Sequence, residues 1–169
     1  LTSGWSMFST YMLADDMALD VILTPILENV VIAKDYLGAA FLPEWNFNGV
    51  GDLTVGQGYQ IKTVDATSLV VAGTYMTPEE NPVDLAAGWN MIGYLRTSAA
   101  PADLVLAELN DAGNLVIAKD YLGAAFLPEW NFNGIGDLAP GMGYQLKTNT
   151  EGTLNFISND NSYRMSAME

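Results

Sequence analysis

A chain of 169 residues has room for one medium domain or two small ones, and with half its residues hydrophobic and 15% charged it is globular in composition, not disordered. Its 20 acidic against 6 basic residues give a net charge of −14, which repels phosphate backbones and anionic lipid heads and argues against nucleic-acid partners. The absence of Cys and His excludes disulfides, thiolate and imidazole chemistry and the usual zinc ligands, and no apolar run approaches the ~18–20 residues of a membrane span.

The chain opens at Leu1 without a basic-then-apolar leader, which reads as a mature segment or a fragment of something longer. Residues 5–13 read as a strand. Residues 15–24 read as a short helix, capped by Asp15 or Asp16 and stopped before Pro25. The β-branched run 30–34 predicts a strand, and 35–38 a turn with Gly38 supplying a positive φ. Residues 39–42 return as its hairpin partner, ending at Pro43, which has no N–H for a ladder. The Asn and Gly of 45–49 predict a loop, and 68–72 a closing strand. The second half repeats the order: a strand at 88–95, a short helix from Ser98 and Pro101 to Leu109, a strand at 144–148 after the turn at 139–141, and a last strand at 153–157.

Laid on itself, the chain faces Leu1 with Leu85, Trp5 with Trp89 and Met7 with Met91. From Asn29, which faces Asn114, the second copy carries one extra residue. Residues 29–53 and 114–138 then match everywhere except Val30 against Leu115 and Val50 against Ile135. Within them, 34–49 and 119–134 are identical. Gly56, Gly58, Tyr59, Gln60 and Lys62 recur as Gly141, Gly143, Tyr144, Gln145 and Lys147. The expected fold is β-rich α+β: two repeats, 1–84 and 85–169, each a strand, a short helix and about four strands. Units of ~85 residues have thin cores, so the two are expected to close around a shared core with pseudo-two-fold symmetry.

Gly88-Trp89-Asn90-Met91-Ile92-Gly93, with Gly141, Gly143, Tyr144, Gln145 and Lys147 downstream, resembles the repeated "GWN-hydrophobic-I" modules of large secreted and surface-anchored bacterial proteins. The first copy departs from that pattern, with Ser6 in place of the Asn and Phe8-Ser9 in place of Ile-Gly. The resemblance implies an extracellular accessory module, beside catalytic domains or within adhesins, with no catalytic set of its own.

Candidate site residues cluster in the repeated Glu-Trp-Asn-Phe-Asn-Gly. Trp45 and Trp130 offer ring faces for the C–H groups of a sugar, with Glu44, Asn46 and Asn48, and Glu129, Asn131 and Asn133, as hydroxyl partners. Against this stands burial of Trp45 and Phe47 as core plugs from a loop, since Trp is highly buried on average. Trp5 and Trp89 lead into strands and are expected in the core. Asp52 and Asp137, with the neighbouring Asn and Glu, are oxygen ligands of the type Ca²⁺ takes, although the run lacks the alternating acids of a dedicated calcium loop; an Asn/Gly turn held by side-chain-to-backbone bonds is the preferred explanation. A glycosidase pair, Glu44 with Asp52 or Glu129 with Asp137, has nothing in the sequence to fix its separation. Gly56-x-Gly58 and Gly141-x-Gly143 lack the third Gly or the Lys of phosphate loops and read as turn glycines. Lys34, Lys62, Lys119 and Lys147 read as partners of local carboxylates.

The repeated block has three explanations: a ligand surface shown twice, the seam between repeats, or recent homogenisation. The expectation is a seam for 31–41 and a ligand loop for 44–48. The resulting functional expectation is a non-catalytic, secreted or cell-surface module that recognises carbohydrate. The alternative is a structural or adhesive spacer, stabilised by Ca²⁺ and contacting neighbouring domains of a longer chain; an enzyme ranks third.

Overall fold

The computed structural model describes residues 1–159; the end of the second expected repeat, 160–169, lies outside them. The architecture is β-rich with short helices. Among the described residues, the strands form two five-stranded antiparallel sheets and three two-stranded pairs. In the first sheet Gly4–Phe8 lies beside Tyr59–Thr63, followed by Val30–Lys34, Ala40–Leu42 and Phe47–Asn48. The second runs Gly88–Gly93, Gly143–Thr148, Leu115–Lys119, Ala125–Leu127 and Phe132–Asn133, the same order in the second half of the chain.

The hairpin forms as its local chemistry dictates. Val30–Lys34 pairs with Ala40–Leu42, and Asp35 accepts the N–H groups of Leu37 and Ala39 at 2.9 and 2.8 Å, closing the turn that Gly38 completes at φ 89°. Pro43 ends the strand and opens a 3-10 turn, Pro43–Trp45. Phe47–Asn48 then pairs back on Phe41 and Leu42, so the expected loop at 45–49 also supplies the edge of the sheet.

Four expectations need correction. Pro25 does not end a helix: Leu19–Ile22 runs into a 3-10 helix, Thr24–Asn29, with Pro25 in its first turn, where a missing N–H costs nothing. Neither expected cap serves the helix: its N-cap is Ala18, with no side-chain capping bond, and Asp16 only accepts the N–H of Ala18 itself at 2.9 Å. The second-half helix is split into Ala102–Val105 and Ala107–Asp111, and Ala100–Pro101 just before it pairs with Asp137–Leu138. Residues 68–72 form no strand: Leu69 and Val71 lean on the first core, but no ladder partner lies beside them. The closing pairs are instead Met12–Leu13 with Thr74–Tyr75, and Val83–Leu85 with Gly152–Leu154.

Buried apolar side chains fall into two clusters. One gathers Phe8, Leu19, Leu23, Ala33, Phe41 and Ile61 from the first half. The other gathers Ile92, Tyr94, Leu106, Ala118, Phe126 and Leu146 from the second, with Tyr11 and Val55 of the first half packed against it. In each cluster a buried tyrosine hydroxyl accepts a backbone N–H: Tyr59 from Thr54 at 2.8 Å and Tyr144 from Ala139 at 2.7 Å. Burial pushes both hydroxyls above the ordinary tyrosine range, partly offset by those bonds. A group with a raised folded-state pKa keeps its contribution below the unfolded value, about 10 for Tyr, and loses it as pH rises through the folded one. Thermal melts are therefore expected to be insensitive to these groups up to about pH 10 and to fall beyond it, less steeply in Tyr59→Phe/Tyr144→Phe.

The halves meet through reciprocal backbone contacts. Ser9 N–H donates to Gly141 O at 3.0 Å, and its positional counterpart Gly93 donates to Gly56 O at 2.8 Å. Phe8 bridges to Met142 as Ile92 bridges to Gln57. Gly58 donates to Met91 O at 3.0 Å, and a Cβ placed on Gly58 would stand 2.6 Å from Ile92 O. The seam thus lies at the Gly-x-Gly segments and the ends of the first strands, not along the 31–41 hairpin, where Val31 and Val116 are exposed. The hairpin reaches the other half at its turn: Tyr36 borders a cavity with Asn90 and Met91, and Tyr121 one with Trp5 and Met7.

Candidate functional site

Each sheet turns one face to its own core; the other is open at its Trp end and covered where Met7 and Met91 lie buried. Antiparallel partners share a face and alternate residues change face. Trp5 therefore stands with Lys62 and Ile32, and two residues along Met7 stands with Gln60, Lys34 and Ala40. In the second sheet Trp89 stands with Lys147 and Ile117, and Met91 with Gln145, Lys119 and Ala125.

The loop beyond the outer strand displays its tryptophan. Trp45 and Trp130 are 72% and 70% exposed, each at the end of a one-turn 3-10 helix, Pro43–Trp45 and Pro128–Trp130. Asn46 and Asn131 adopt left-handed backbones at φ 48° and 47°, a conformation Asn tolerates better than most, and their N–H groups close the turns on Pro43 O and Pro128 O at 3.0 Å. Phe47 and Phe132 follow, half exposed, with one ring edge against Gly49 and Gly134, where a Cβ would come within 2.8 Å of ring carbon. Neither aromatic pair plugs the core.

Asn48 and Asn133 hold the loop in shape. The Asn48 amide donates to Asp20 Oδ1 at 2.9 Å and to Gly51 O at 3.2 Å, and its oxygen accepts from Gly51 N–H at 2.8 Å. Asn133 does the same with Asp103 and Gly136. Both amide hydrogens are spent on the protein, leaving the displayed rings, Asn46 and Asn131, and the exposed Glu44 and Glu129 to face solvent. Asn48→Ala and Asn133→Ala are each expected to cost about 1 kcal/mol in urea denaturation, the net value of such bonds at partly exposed sites.

Asp52 and Asp137 are exposed, Asp52 bridged to Ala18 and Asp137 paired with Pro101. Among the described residues, no three acidic side chains come together as a metal-holding group. No helix of the described residues is long and apolar enough to cross a membrane.

Trp5 and Trp89, expected in the core, are 45% and 48% exposed, because the register turns them to the open faces. Three of the four lysines expected beside carboxylates lie against these rings; among the described residues, Lys62 is paired with Trp5 only through the backbone register. Lys34 Nζ is 5.7 Å from the Trp5 centroid, and Lys119 and Lys147 Nζ are 5.4 and 5.9 Å from that of Trp89. An ammonium over an indole face is attracted by the ring quadrupole, by about 0.5–1 kcal/mol where water is present. The signal was in the sequence: Trp-x-Met in the first strand and Gln-x-Lys in the last are period-2 patterns that put aromatic, amide and cation on one side. No family model matches the chain, and no curated protein or solved structure is significantly similar to it.

Proposed function

We propose that the chain is a non-catalytic module that recognises carbohydrate, in the manner implied by its resemblance to the GWN-type modules of secreted and surface-anchored bacterial proteins. Its two halves act as equivalent units facing each other across a pseudo-two-fold axis. The reciprocal hydrogen bonds of Ser9 with Gly141 and Gly93 with Gly56 support that symmetry.

The observation that carries the functional reading is the display of Trp45 and Trp130. Burying a large apolar side chain is worth about 1.5–3 kcal/mol; Trp45 and Trp130 forgo it, each at the end of a 3-10 turn closed by the Asn46 or Asn131 N–H. A flat indole held out on a stiff turn suits stacking on the C–H face of a sugar ring, with Asn46 or Asn131 and Glu44 or Glu129 beside it for hydroxyls. Two copies on one chain suit a polymer: once one loop is engaged, the second binds at the effective concentration set by the fixed spacing, and avidity rises without any new contact.

Affinity electrophoresis through gels containing soluble polysaccharides tests this. Trp45→Ala and Trp130→Ala are each expected to change stability by no more than about 0.5 kcal/mol, as exposed positions do. Each should weaken retention, and the double variant should abolish it. Unchanged retention in the double variant would remove the loops from any such function, and a wild-type chain retained by no polysaccharide would leave the spacer reading.

A further inference from the structure

Between the two open sheet faces lies a groove of 270 Å³ to which both halves contribute: Trp5 and Gln60 from the first, Lys119, Asp120, Tyr121 and Gln145 from the second. It lies just under the ~300 Å³ at which small-molecule pockets begin, so it takes no more than about one sugar ring. We infer that this groove is a subsite for a carboxylated sugar, a uronate unit of an acidic polysaccharide; the inference rests on the carbohydrate reading above and names the ligand's charge.

The placement of charge carries the argument. The chain has 20 acids and four lysines, Lys34, Lys62, Lys119 and Lys147. All four lysines stand on the two open faces, by the pairings of Trp5 with Lys62, Lys34 with Gln60, Trp89 with Lys147 and Lys119 with Gln145. The positions paired across those faces include none of the acids. Lys119 and Lys147 converge on the single ring of Trp89, and among the described residues no carboxylate forms an ion pair with either. Lys119 lines the groove itself, and Lys147, outside its lining, meets the same Trp89 ring, so two positive charges stand at the groove's edge, where a carboxylate is attracted. The ring engages one side of each Nζ, leaving donors free for a carboxylate.

The other groups fit a sugar. Gln60 and Gln145 are equivalent positions brought to one groove by the seam. Both are half-buried, and among the described residues neither side-chain amide is hydrogen-bonded. They offer paired donors and acceptors to ring hydroxyls, and the half-exposed Trp5 offers a face for C–H groups. Asp120, the one acid in the groove, has Oδ1 committed to the N–H groups of Leu122 and Ala124, both at 2.9 Å.

The cavity on the opposite side of the seam makes the contrast. It is larger, 540 Å³, and is bordered by Tyr36, Asn90 and Met91, but also by Asp84 and Glu151, with no lysine. A carboxylate is repelled there and attracted to the groove. The overall negative charge does not cancel this preference, since exposed charges beyond a Debye length of ~8 Å at physiological salt are largely screened.

The test compares retention on polygalacturonate, on its fully methyl-esterified form and on a neutral glucan. The wild-type chain is expected to be held by polygalacturonate, at least about tenfold more weakly by the ester, and less at raised salt. Lys119→Gln/Lys147→Gln should lose about tenfold on polygalacturonate and nothing on the neutral polymer, with Lys119→Arg/Lys147→Arg restoring retention; melts of each variant report its folding. Equal retention on the ester and the acid, or a Gln variant that binds polygalacturonate like wild type, overturns the uronate assignment. If retention on polygalacturonate is lost in the Trp45→Ala/Trp130→Ala double variant and unchanged in both lysine variants, the groove falls and the loop reading stands. If the wild-type chain is held by none of the three, both fall.

Discussion

Gly58→Ala is expected to destabilise the protein by about 3 kcal/mol, the upper end for overpacking against a rigid neighbour. The added Cβ would lie 2.6 Å from Ile92 O and 3.1 Å from the carbonyl carbon behind it. Both belong to the Gly88–Gly93 strand, which is fixed by its ladder to Gly143–Thr148 and cannot retreat alone. Relief comes only by parting the halves, which stretches the 3.0 Å bond from Gly58 N–H to Met91 O and the 2.8 Å bond from Gly93 to Gly56. Gly143→Ala at the matching position is expected to cost about 1 kcal/mol, because its Cβ would stand 3.0 Å from Phe8 O, where a shift of a few tenths of an ångström suffices. Denaturant titration of the two variants reads the difference directly. A Gly58→Ala protein within 0.5 kcal/mol of wild type, the range of neutral surface changes, would falsify the tight seam.

That seam shows where the sequence was legible and where it was not. The hairpin at 30–42 could be read because every determinant is local: a β-branched run, an Asp to bond the turn, a Gly for its positive φ, and a Pro to end the ladder. Gly56 and Gly141 could be read as turn glycines for the same reason, and both have positive φ. Gly58 and Gly143 could not be read fully, because their reason is a backbone from the other half passing close by, and nothing in their neighbours announces it. The identity of the repeated block pointed to the hairpin as the seam, yet identity has no direction: the same residues serve an open face equally well. Trp5 and Trp89 were misplaced on a similar ground. Average burial of Trp says nothing about a strand whose two faces go to different surroundings, and only the register decides which face a ring takes. At the candidate site, the display of Trp45 and Trp130 follows from Pro43 and Pro128 turning the chain out of the sheet. The groove required partners distant in sequence and was not visible at all.

The identical block also permits an experiment on how the halves unfold. Phe41→Ala and Phe126→Ala are each expected to cost 3–5 kcal/mol, the range for emptying a buried phenylalanine site; the two rings are 3% and 1% exposed. Their local sequences are the same, so any difference between the variants reports the packing around them and not propensity. Phe41 sits in the cluster with Leu19, Leu23 and Ile61, Phe126 in that with Leu106, Leu138 and Leu146. If each cluster were an independent unit, Phe41→Ala would melt the first half early and leave the second unchanged, a two-step trace in calorimetry. The reciprocal backbone bonds, and the packing of Tyr11 and Val55 from the first half on the second cluster, argue otherwise. Unfolding the first half would strip those side chains from the second core and expose the carbonyls of Gly141 and Met142, which Ser9 now covers with bonds of 3.0 and 2.6 Å. Small domains have only about 5–15 kcal/mol in total, so neither half can bear that loss on top of an emptied ring site. The expected outcome is one transition in the wild type and in both variants, lowered by similar amounts. Two resolved transitions in Phe41→Ala would show that the halves fold separately and merely touch.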